Sequence, residues 1–268
     1  MPSERLEKYH GLGNDFLVLV DLDGRRPVDA AWARAVCDRH LGVGADGLVR
    51  VVARPEEPRY VMELFNADGG RAEMSGNGIR CLARALADLG VEDRVQFDIA
   101  TEGGVRTVTL ADDGSVRVDM GVARLLPAPR PGADDRRDRR DRREAAVDMG
   151  NPHVVVEVAD PAPLDLDAEA ERWGGDTNVE VVAAGPGADE LTMRVFERGV
   201  GETQACGTGA CAAAFVARSW SLVGDRVVVH QPGGSLSVDL SGTSVVLAGP
   251  ATRVASVELA EELVPAWR

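Results

Sequence analysis

The sequence predicts an α/β protein, in the broad sense that includes α+β folds, made of two pseudo-symmetric domains. A shift of 131 residues places Met62–Phe65 on Met193–Phe196 and Ser75–Gly78 on Cys206–Gly209, with hydrophobic, glycine and polar positions in register. Each half also begins with a polar turn before an apolar strand. Turn signals then recur about every eight to twelve residues. We therefore expect each domain to be a curled, mostly antiparallel sheet around a central buried helix.

Two unrelated strand-turn-helix units are the alternative to duplication, because glycine-rich turns are common. The register holds without a gap over about twenty residues, a span that a chance match rarely reaches, so duplication is the better interpretation. The expected domains are residues 1–126, joined by 257–268, and residues 145–256.

The composition is typical of a soluble globular protein with two cores. The chain has 268 residues, of which 44% are hydrophobic, and a formal net charge of −14. This charge disfavours nucleic acid and anionic membrane surfaces as partners, because both repel an acidic protein at long range. No apolar run approaches the length of a membrane span, and the first residues lack the apolar segment of a secretory signal.

The cysteines indicate a reducing environment. They are Cys37, Cys81, Cys206 and Cys211. Four cysteines in a chain of this size make no dense disulfide framework, so we expect a cytoplasmic location. Cys206 and Cys211 lack a matching histidine pair at zinc spacing, so we expect no metal site.

The first half predicts a strand at Phe16–Val20 and a helix capped by Asp29, which runs to about Arg39 and which Gly42 is placed to end. Further strands are expected at Leu48–Val52 and Tyr60–Phe65. The helix after Ser75 should be the centre of this domain. Its inner face is predicted by the helical spacing of Ile79, Leu82, Ala83 and Leu86, and a polar edge by Arg80, Arg84 and Asp88.

The connection at residues 127–144 interleaves arginines with aspartates, so its local field largely cancels, and it has no aromatic residues for stacking on bases. A solvated linker is the better interpretation than a nucleic-acid patch. Beyond it we expect a strand at Val154–Val158, a helix at Asp165–Arg172 and a strand at Asn178–Val182. The helix that includes Ala210–Ala217 is apolar all round and should be buried.

Two such domains facing each other across a cleft would direct two helix N-termini at one small ligand. A helix N-terminus carries unpaired N–H groups and a positive partial charge, so it binds a carboxylate. The amides best placed for this are those of Gly76, Asn77, Gly207 and Thr208. The same field should lower the pKa of Cys206 and make it a base. A proton-transfer group on each side of a carbon is the arrangement that inverts a stereocentre.

Seven motifs, in order along the chain, carry a family resemblance. They are Gly11–Phe16, Gly44–Gly47, Asn66–Gly69, Ser75–Cys81, Gly150–His153, Asn178–Val179 and Glu197–Gly209. From about residue 6 to residue 217 the chain resembles diaminopimelate epimerase, and the last motif is long and specific. The resemblance implies a cofactor-free, pyridoxal-phosphate-independent isomerase that converts LL-diaminopimelate to the meso isomer in lysine biosynthesis. It also implies a small-molecule substrate and a homodimer.

The resemblance also assigns site residues by position. Cys206 is a catalytic thiol, with His153 and Glu197 as polar partners near the reacting carbon. The substrate contacts that it implies are Asn14, Asn66, Asn151, Asn178, Glu197 and Arg198. These residue types suit a substrate with an amino-acid group at each end, and Arg198 can hold a carboxylate by two parallel hydrogen bonds.

Ser75 departs from the family, which has its other catalytic cysteine there. A hydroxyl is far less acidic than a thiol, so Ser75 would be a poor base and a slow acid. Three explanations stay open: a natural variant with slow proton transfer, an engineered cysteine-to-serine form, and a chain with changed or lost activity. The corresponding alternatives are a dehydratase or lyase of the proline-racemase-like superfamily and a diaminopimelate-binding pseudoenzyme.

Overall fold

The computed structural model describes residues 4–127, 142–175 and 177–263. The chain divides into two compact units. Unit 1 comprises Met1–Val118 and Gly249–Arg268, and unit 2 comprises Asp119–Ala248. Residues 128–141, most of the predicted charged linker, lie outside the described residues. Within the described residues, no helix is long and apolar enough to cross a membrane.

The strands and helices follow one another in the same order in both halves. From the N-terminus they are β1 (Glu4–Gly11), β2 (Asn14–Val20), α1 (Ala30–Cys37), β3 (Gly47–Ala53), β4 (Tyr60–Asn66), β5 (Arg71–Ala72), α2 (Gly76–Asp88), β6 (Gln96–Thr101), β7 (Gly104–Leu110) and β8 (Val116–Asp119). They continue with β9 (Arg124–Leu126), β10 (Glu144–Asp148), β11 (Pro152–Glu157), α3 (Leu166–Arg172), β12 (Asn178–Ala184), β13 (Glu190–Glu197), β14 (Gly201–Thr203), α4 (Gly207–Ser219), β15 (Arg226–Gln231), β16 (Gly234–Asp239), β17 (Val246–Gly249) and β18 (Thr252–Leu259). A 3-10 turn at Glu261–Leu263 follows.

The strand pairings of the two units are the same. In unit 1, β1–β2, β3–β4, β6–β7 and β7–β8 are antiparallel, whereas β2–β3 and β4–β6 are parallel. In unit 2, β10–β11, β12–β13, β15–β16 and β16–β17 are antiparallel, whereas β11–β12 and β13–β15 are parallel. The predicted pseudo-symmetric α/β fold with mostly antiparallel pairing is confirmed.

The shift of 131 residues found in the sequence carries whole elements onto one another. It moves α2 onto α4, each of 13 residues, and β3 onto β12 without any offset at either end. The duplication is therefore a property of the backbone as well as of the sequence.

The last strand of each half of the sequence pairs with the first strand of the other half. Strand β9 pairs antiparallel with β10 in unit 2, and β18 pairs antiparallel with β1 in unit 1. Because β18 follows β17 in the chain, unit 1 is closed by a strand from the C-terminal end of the sequence.

In each unit, one face of the sheet packs against a peripheral helix, and the other face encloses the central helix. Helix α1 covers a cluster that includes Leu17, Leu19 and Leu48, and α3 covers one that includes Val154 and Val179. The central helices α2 and α4 are buried, and the predicted inner positions of α2 have no exposed surface. The predicted burial of the apolar α4 is also confirmed, since ten of its residues are buried.

Helix α1 begins as predicted but ends earlier. The Asp29 carboxylate accepts a hydrogen bond from the Trp32 amide at 2.8 Å, which is a normal N-cap. The helix ends at Cys37, and Asp38 takes an extended conformation. Gly42 lies in the turn beyond, where its amide donates to the Asp38 carbonyl, so the expectation that Gly42 ends the helix is wrong.

Arg80 was expected on a polar edge of α2, and this expectation is also wrong. Its side chain is fully buried and donates hydrogen bonds to the carbonyl oxygens of Gly76 and Pro250 and to the Asn77 side chain. A side chain at Gly11 would approach the Arg80 guanidinium to 2.9 Å, so the glycine provides the space. Tertiary acceptors therefore override the surface preference of arginine.

We expect Arg80→Met to lower the free energy of unfolding by about 2 to 4 kcal/mol, because it removes buried hydrogen bonds to the Gly76 carbonyl and the Asn77 side chain. Arg84 lies one turn further along α2 and pairs with Asp88 at 2.8 Å near the surface. Arg84→Met is the matched control and should change stability by less than about 0.5 kcal/mol. Urea unfolding followed by circular dichroism measures both variants, and equal effects would contradict the structural role of Arg80.

Candidate active site

The two residues that the duplication pairs, Ser75 and Cys206, are the N-caps of the two central helices. The Ser75 hydroxyl accepts from the Gly78 amide at 3.0 Å, and the Cys206 sulfur accepts from the Gly209 amide at 3.4 Å. Both residues have extended backbone conformations, as N-caps require. The predicted carboxylate-binding amides of Gly76, Asn77, Gly207 and Thr208 belong to the first turns of these helices.

In unit 1 a chain of hydrogen bonds fixes the amide side chains near the start of α2. Arg80 donates to the Asn77 side-chain oxygen at 2.6 Å, and Asn77 donates to the Asn14 side-chain oxygen at 3.1 Å. Asn14 in turn donates to the Asp46 carboxylate at 2.9 Å. The predicted substrate residue Asn14 is therefore held in one orientation beside the first turn of α2.

Asn66 lies at the end of β4, where strand register pairs it with Gly47, which pairs with Phe16 on β2. Its backbone closes the turn to Gly69 and Gly70. Within the described residues its side chain has no hydrogen bond, so the structure does not join Asn66 to Ser75. The shift of 131 carries Asn66 onto Glu197, so two predicted substrate residues occupy the same position in the two units.

Unit 2 gathers the other predicted polar residues at the corresponding edge of its sheet. His153 is the second residue of β11, Asn178 begins β12 and Glu197 ends β13. The imidazole Nε2 of His153 lies 3.0 Å from the Asn151 side-chain oxygen. Asn178 donates to the Pro152 carbonyl and accepts from the Arg198 amide, which ties the two strand ends together.

Arg198 follows Glu197 directly after the end of β13. It is exposed, and within residues 4–127, 142–175 and 177–263 its guanidinium makes no ion pair. Arg194, four residues earlier, pairs with Glu202 and donates to three carbonyl oxygens. Of these two arginines, Arg198 is the one whose guanidinium can bind an external carboxylate.

Glu197 is the acid next to the Cys206 thiol. One of its carboxylate oxygens accepts a hydrogen bond from the Thr203 hydroxyl at 2.5 Å. Burial raises the pKa of Glu197, whereas hydrogen bonds from Thr203 and Cys206 lower it. A carboxyl group with a raised pKa in contact with a thiol can exchange a proton with it.

The pKa of Cys206 is raised, which corrects the expectation of a lowered value. Burial is the largest cause, and the negative charges of Glu197 and Glu180 raise the pKa further. Hydrogen bonds from the Thr208 hydroxyl and the Gly209 amide act in the opposite direction. The helix N-terminus is present as expected, but removal of the thiolate from water outweighs it.

Two residues of this site were missed by sequence reasoning. Glu180, fully buried on β12, binds the His153 Nδ1 atom at 2.6 Å, and a side chain at Gly209 would approach its carboxylate to 2.6 Å. Gln231 accepts from the Cys206 backbone amide at 2.8 Å. The available signal was the shift of 131, which places Glu180 on the apolar Val49.

No group of three or more His, Cys, Asp or Glu side chains in the described part of the chain is arranged to hold a metal ion. All four cysteines are free and buried. Of the predicted polar site residues of unit 2, Arg198 is exposed, whereas His153 is fully buried with both ring nitrogens close to polar partners.

Known proteins resemble this chain along most of its length. A sequence profile of diaminopimelate epimerase matches residues 6–126 and 145–254. The diaminopimelate epimerase of Thermobifida fusca is 40% identical over 274 residues, which cover 94% of this chain and 96% of the relative. The diaminopimelate epimerase of Azoarcus sp. is 43% identical over 278 residues, covering 95% of this chain and 98% of that protein.

Solved structures at low identity share the fold. A Bacillus anthracis phenazine biosynthesis protein of the PhzF family has a TM-score of 0.73 at 16% identity, covering 97% of this chain and 100% of its own. A hydroxyproline epimerase from Agrobacterium vitis, solved with bound trans-4-hydroxy-L-proline, has a TM-score of 0.69 at 15% identity, covering 97% and 94%. The profile match and the relatives at about 40% identity carry the assignment: the chain belongs to the diaminopimelate epimerase family.

Proposed function

We propose that this protein is a cofactor-independent epimerase that converts LL-diaminopimelate to meso-diaminopimelate by proton transfer at one α-carbon. The observation that carries the proposal is the Cys206 thiol at the N-cap of the buried α4, in contact with Glu197 and Thr208. The family of the chain supplies the substrate class. A cytoplasmic location and a homodimer, expected from the sequence, stay predictions.

Cys206 and Glu197 would act as a dyad that shares one proton. Burial raises the pKa of both groups, and the charge of Glu197 raises the pKa of Cys206 further, so ionisation of one group disfavours ionisation of the other. Transfer of the thiol proton to Glu197 leaves a thiolate, which then removes the α-proton from the substrate. The negative charge moves to the substrate, where the first-turn amides of α4 stabilise its carboxylate.

The proton on the opposite face would come from the Ser75 position. Ser75 is the N-cap of α2 and has the same local geometry as Cys206, so it can lie beside a carboxylate bound at that helix start. Its hydroxyl is a much weaker acid than a thiol. We therefore propose that proton transfer at Ser75, directly or through a water molecule, limits turnover.

The distal end of the substrate would be held by Asn66, Asn178 and Arg198. Diaminopimelate carries an ammonium and a carboxylate at each end, so the distal end needs both acceptors and donors. Arg198 is exposed and forms no ion pair within the described residues, and its planar guanidinium suits two parallel bonds to a carboxylate.

A second candidate function is binding of diaminopimelate without turnover. Ser75 favours this candidate, because the Cys206–Glu197 dyad alone can exchange a proton on one face but cannot invert the carbon. The two candidates share the binding residues and differ in the proton transfer at position 75.

We expect Ser75→Cys to raise kcat for LL-diaminopimelate epimerisation by about 10² to 10⁴, the usual contribution of a positioned general acid. Chiral chromatography measures the products. In D₂O the unchanged chain should take up label from one stereoisomer preferentially, and Ser75→Cys from both.

Three results would argue against this account. Rapid exchange from both isomers by the unchanged chain would make Ser75 a full partner. Binding by calorimetry without turnover, even in Ser75→Cys, would favour the binding protein. Turnover of hydroxyproline but not of diaminopimelate would favour a dehydratase or lyase.

The dyad predicts opposite effects of two substitutions on the Cys206 thiol. Glu197→Gln removes a negative charge and should lower the pKa of Cys206, whereas Thr208→Val removes a hydrogen bond and should raise it. The pH dependence of iodoacetamide alkylation at Cys206, quantified by peptide mass spectrometry, measures both. Shifts in the same direction would contradict the assigned contacts.

Arg198→Met should raise KM for diaminopimelate about 10- to 100-fold with a smaller effect on kcat, because it removes a charged hydrogen-bond donor from the distal carboxylate. The measurement uses the Ser75→Cys background. Arg226→Met is the control, since Arg226 is an exposed arginine of the same unit on β15. An equal rise in KM for both variants would show a general charge effect.

A further inference from the structure

The glutamine that binds the backbone of Cys206 has a second polar atom without a partner. Gln231 is the last residue of β15 and is 8% exposed, on the strand face that also carries the buried Val227 and Val229. Its Oε1 atom accepts from the Cys206 backbone amide at 2.8 Å. Its Nε2 atom is buried and has no hydrogen-bond partner within the described residues. Buried polar atoms without partners are rare in folded proteins, so this one points to a ligand.

The free atom of the Gln231 side chain is the amide nitrogen. A backbone N–H can only donate, so the glutamine atom that it meets is the oxygen, and the atom left over is the nitrogen. An amide nitrogen carries two donors and no acceptor. The ligand group that Nε2 binds must therefore be an acceptor. This requirement excludes an ammonium group and suits a carboxylate oxygen.

The free Nε2 lies at the start of α4. The oxygen and nitrogen of one amide are about 2.2 Å apart, so Nε2 is at most about 5 Å from the Cys206 backbone nitrogen. Gly207 and Thr208 occupy the first two positions of the helix, where backbone amides have no acceptor within the helix. Donors from the backbone and from Gln231 therefore lie together at the positive end of α4, which favours a carboxylate.

The other ligand-binding groups of this helix start are as buried as Gln231. Cys206 is 5% exposed and Thr208 is 8% exposed, and Gly207 is also buried. A substrate that reaches the Cys206 thiol must therefore displace the atoms that cover this helix start, to which Gln231 is hydrogen-bonded. The burial of Nε2 is thus compatible with a ligand contact.

The hairpin itself does not require glutamine at this position. Strand register pairs Gln231 with Gly234 where β15 turns into β16. The corresponding pair in unit 1, where β6 turns into β7, is Thr101 with Gly104. The Thr101 hydroxyl donates to the Gly104 carbonyl at 2.7 Å, within its own hairpin. The glutamine with its free donor therefore belongs to the unit that carries Cys206, which favours a role in ligand binding over a role in the fold.

We propose that Gln231 is a substrate-contacting residue whose Nε2 atom donates a hydrogen bond to the carboxylate bound at the start of α4. This role rests on the proposed function, the binding of diaminopimelate. One side chain then holds the Cys206 backbone through its oxygen and the substrate carboxylate through its nitrogen, so the same residue positions the thiol and the α-carbon. Because Nε2 cannot bind an ammonium group, it also determines which charged group of the α-carbon faces the helix.

The contact can be observed on the unchanged chain. Its three glutamines are Gln96, Gln204 and Gln231, so selective ¹⁵N labelling of glutamine side chains gives three NH₂ groups for ¹H–¹⁵N correlation NMR. Substitution of each glutamine by methionine assigns the signals, and Gln96→Met and Gln204→Met suffice if Gln231→Met does not fold. We expect diaminopimelate to shift the Gln231 signal and to leave those of the exposed Gln96 and Gln204 unchanged. A Gln231 signal that does not move at saturation would overturn the proposal.

Substitution measures what the contact contributes. Gln231→Met has a similar shape and removes the donor, so the dissociation constant of diaminopimelate should rise about 10- to 100-fold by calorimetry, as expected for a lost hydrogen bond to a charged group. Gln204→Met is the matched control, because Gln204 is exposed and its side chain makes no hydrogen bond within the described residues. It should change the dissociation constant by less than about twofold. Unchanged affinity in Gln231→Met would overturn the proposal.

Kinetics in the Ser75→Cys background separate substrate binding from support of Cys206 alone. Loss of a carboxylate contact raises KM more than it lowers kcat, whereas loss of the Cys206 position alone would lower kcat and leave KM unchanged. We expect the first pattern for Gln231→Met, and the second would overturn the proposal. A chain that binds no diaminopimelate would overturn the proposed function together with this contact. Binding without a response of the Gln231 signal would overturn the contact alone.

Discussion

In each unit a helix of 13 residues is enclosed by the sheet, and the amides of its first turn need hydrogen-bond partners from outside the helix. The N-cap side chain provides one, and a thiol at 3.4 Å or a hydroxyl at 3.0 Å does so in the same geometry. The fold therefore accepts serine or cysteine at this position. Proton transfer distinguishes the two residues, because only a thiol is acidic enough to exchange a proton readily. Serine and cysteine are thus equivalent as N-caps here and differ in the chemistry that they allow.

The burial of the start of α4 also determines the direction in which the pKa of Cys206 shifts. A helix N-terminus favours an anion by about 0.3 to 2 kcal/mol, which is at most about 1.5 pKa units. Full burial can move a pKa by about 3 to 5 units in the opposite direction. Desolvation is therefore larger than the effect of the helix N-terminus, and the pKa of Cys206 rises. A buried thiol then needs a nearby acceptor for its proton, and Glu197 at the end of β13 occupies that place. In the proposed mechanism the acid–base function therefore belongs to the pair of residues.

Local and repeated patterns made much of this predictable. The shift of 131 residues fixed the correspondence of α2 with α4, and Asp29 marked the start of α1. The early end of α1 before Gly42, the burial of Arg80 and the raised pKa of Cys206 depend on tertiary contacts that no local pattern contains. The importance of Glu180 was missed, although the sequence contained a signal for it. Its carboxylate interrupts an apolar strand where the other half has Val49, so a comparison of the halves position by position would have identified it.

The two units have the same backbone plan but different linings at the start of the central helix. In unit 2, Glu180 and Glu197 approach the first turn of α4. In unit 1, a side chain at Gly78 would meet Met62 and Phe16, neither of which can exchange a proton. The thiol of unit 2 therefore has two acids nearby, whereas the side chains nearest Gly78 in unit 1 are Ser75 and the apolar Met62 and Phe16. In the proposed mechanism, serine at position 75 keeps the N-cap hydrogen bond of α2 but leaves unit 1 without a thiol at this position, so the fold of unit 1 places no demand on the chemistry of its N-cap residue.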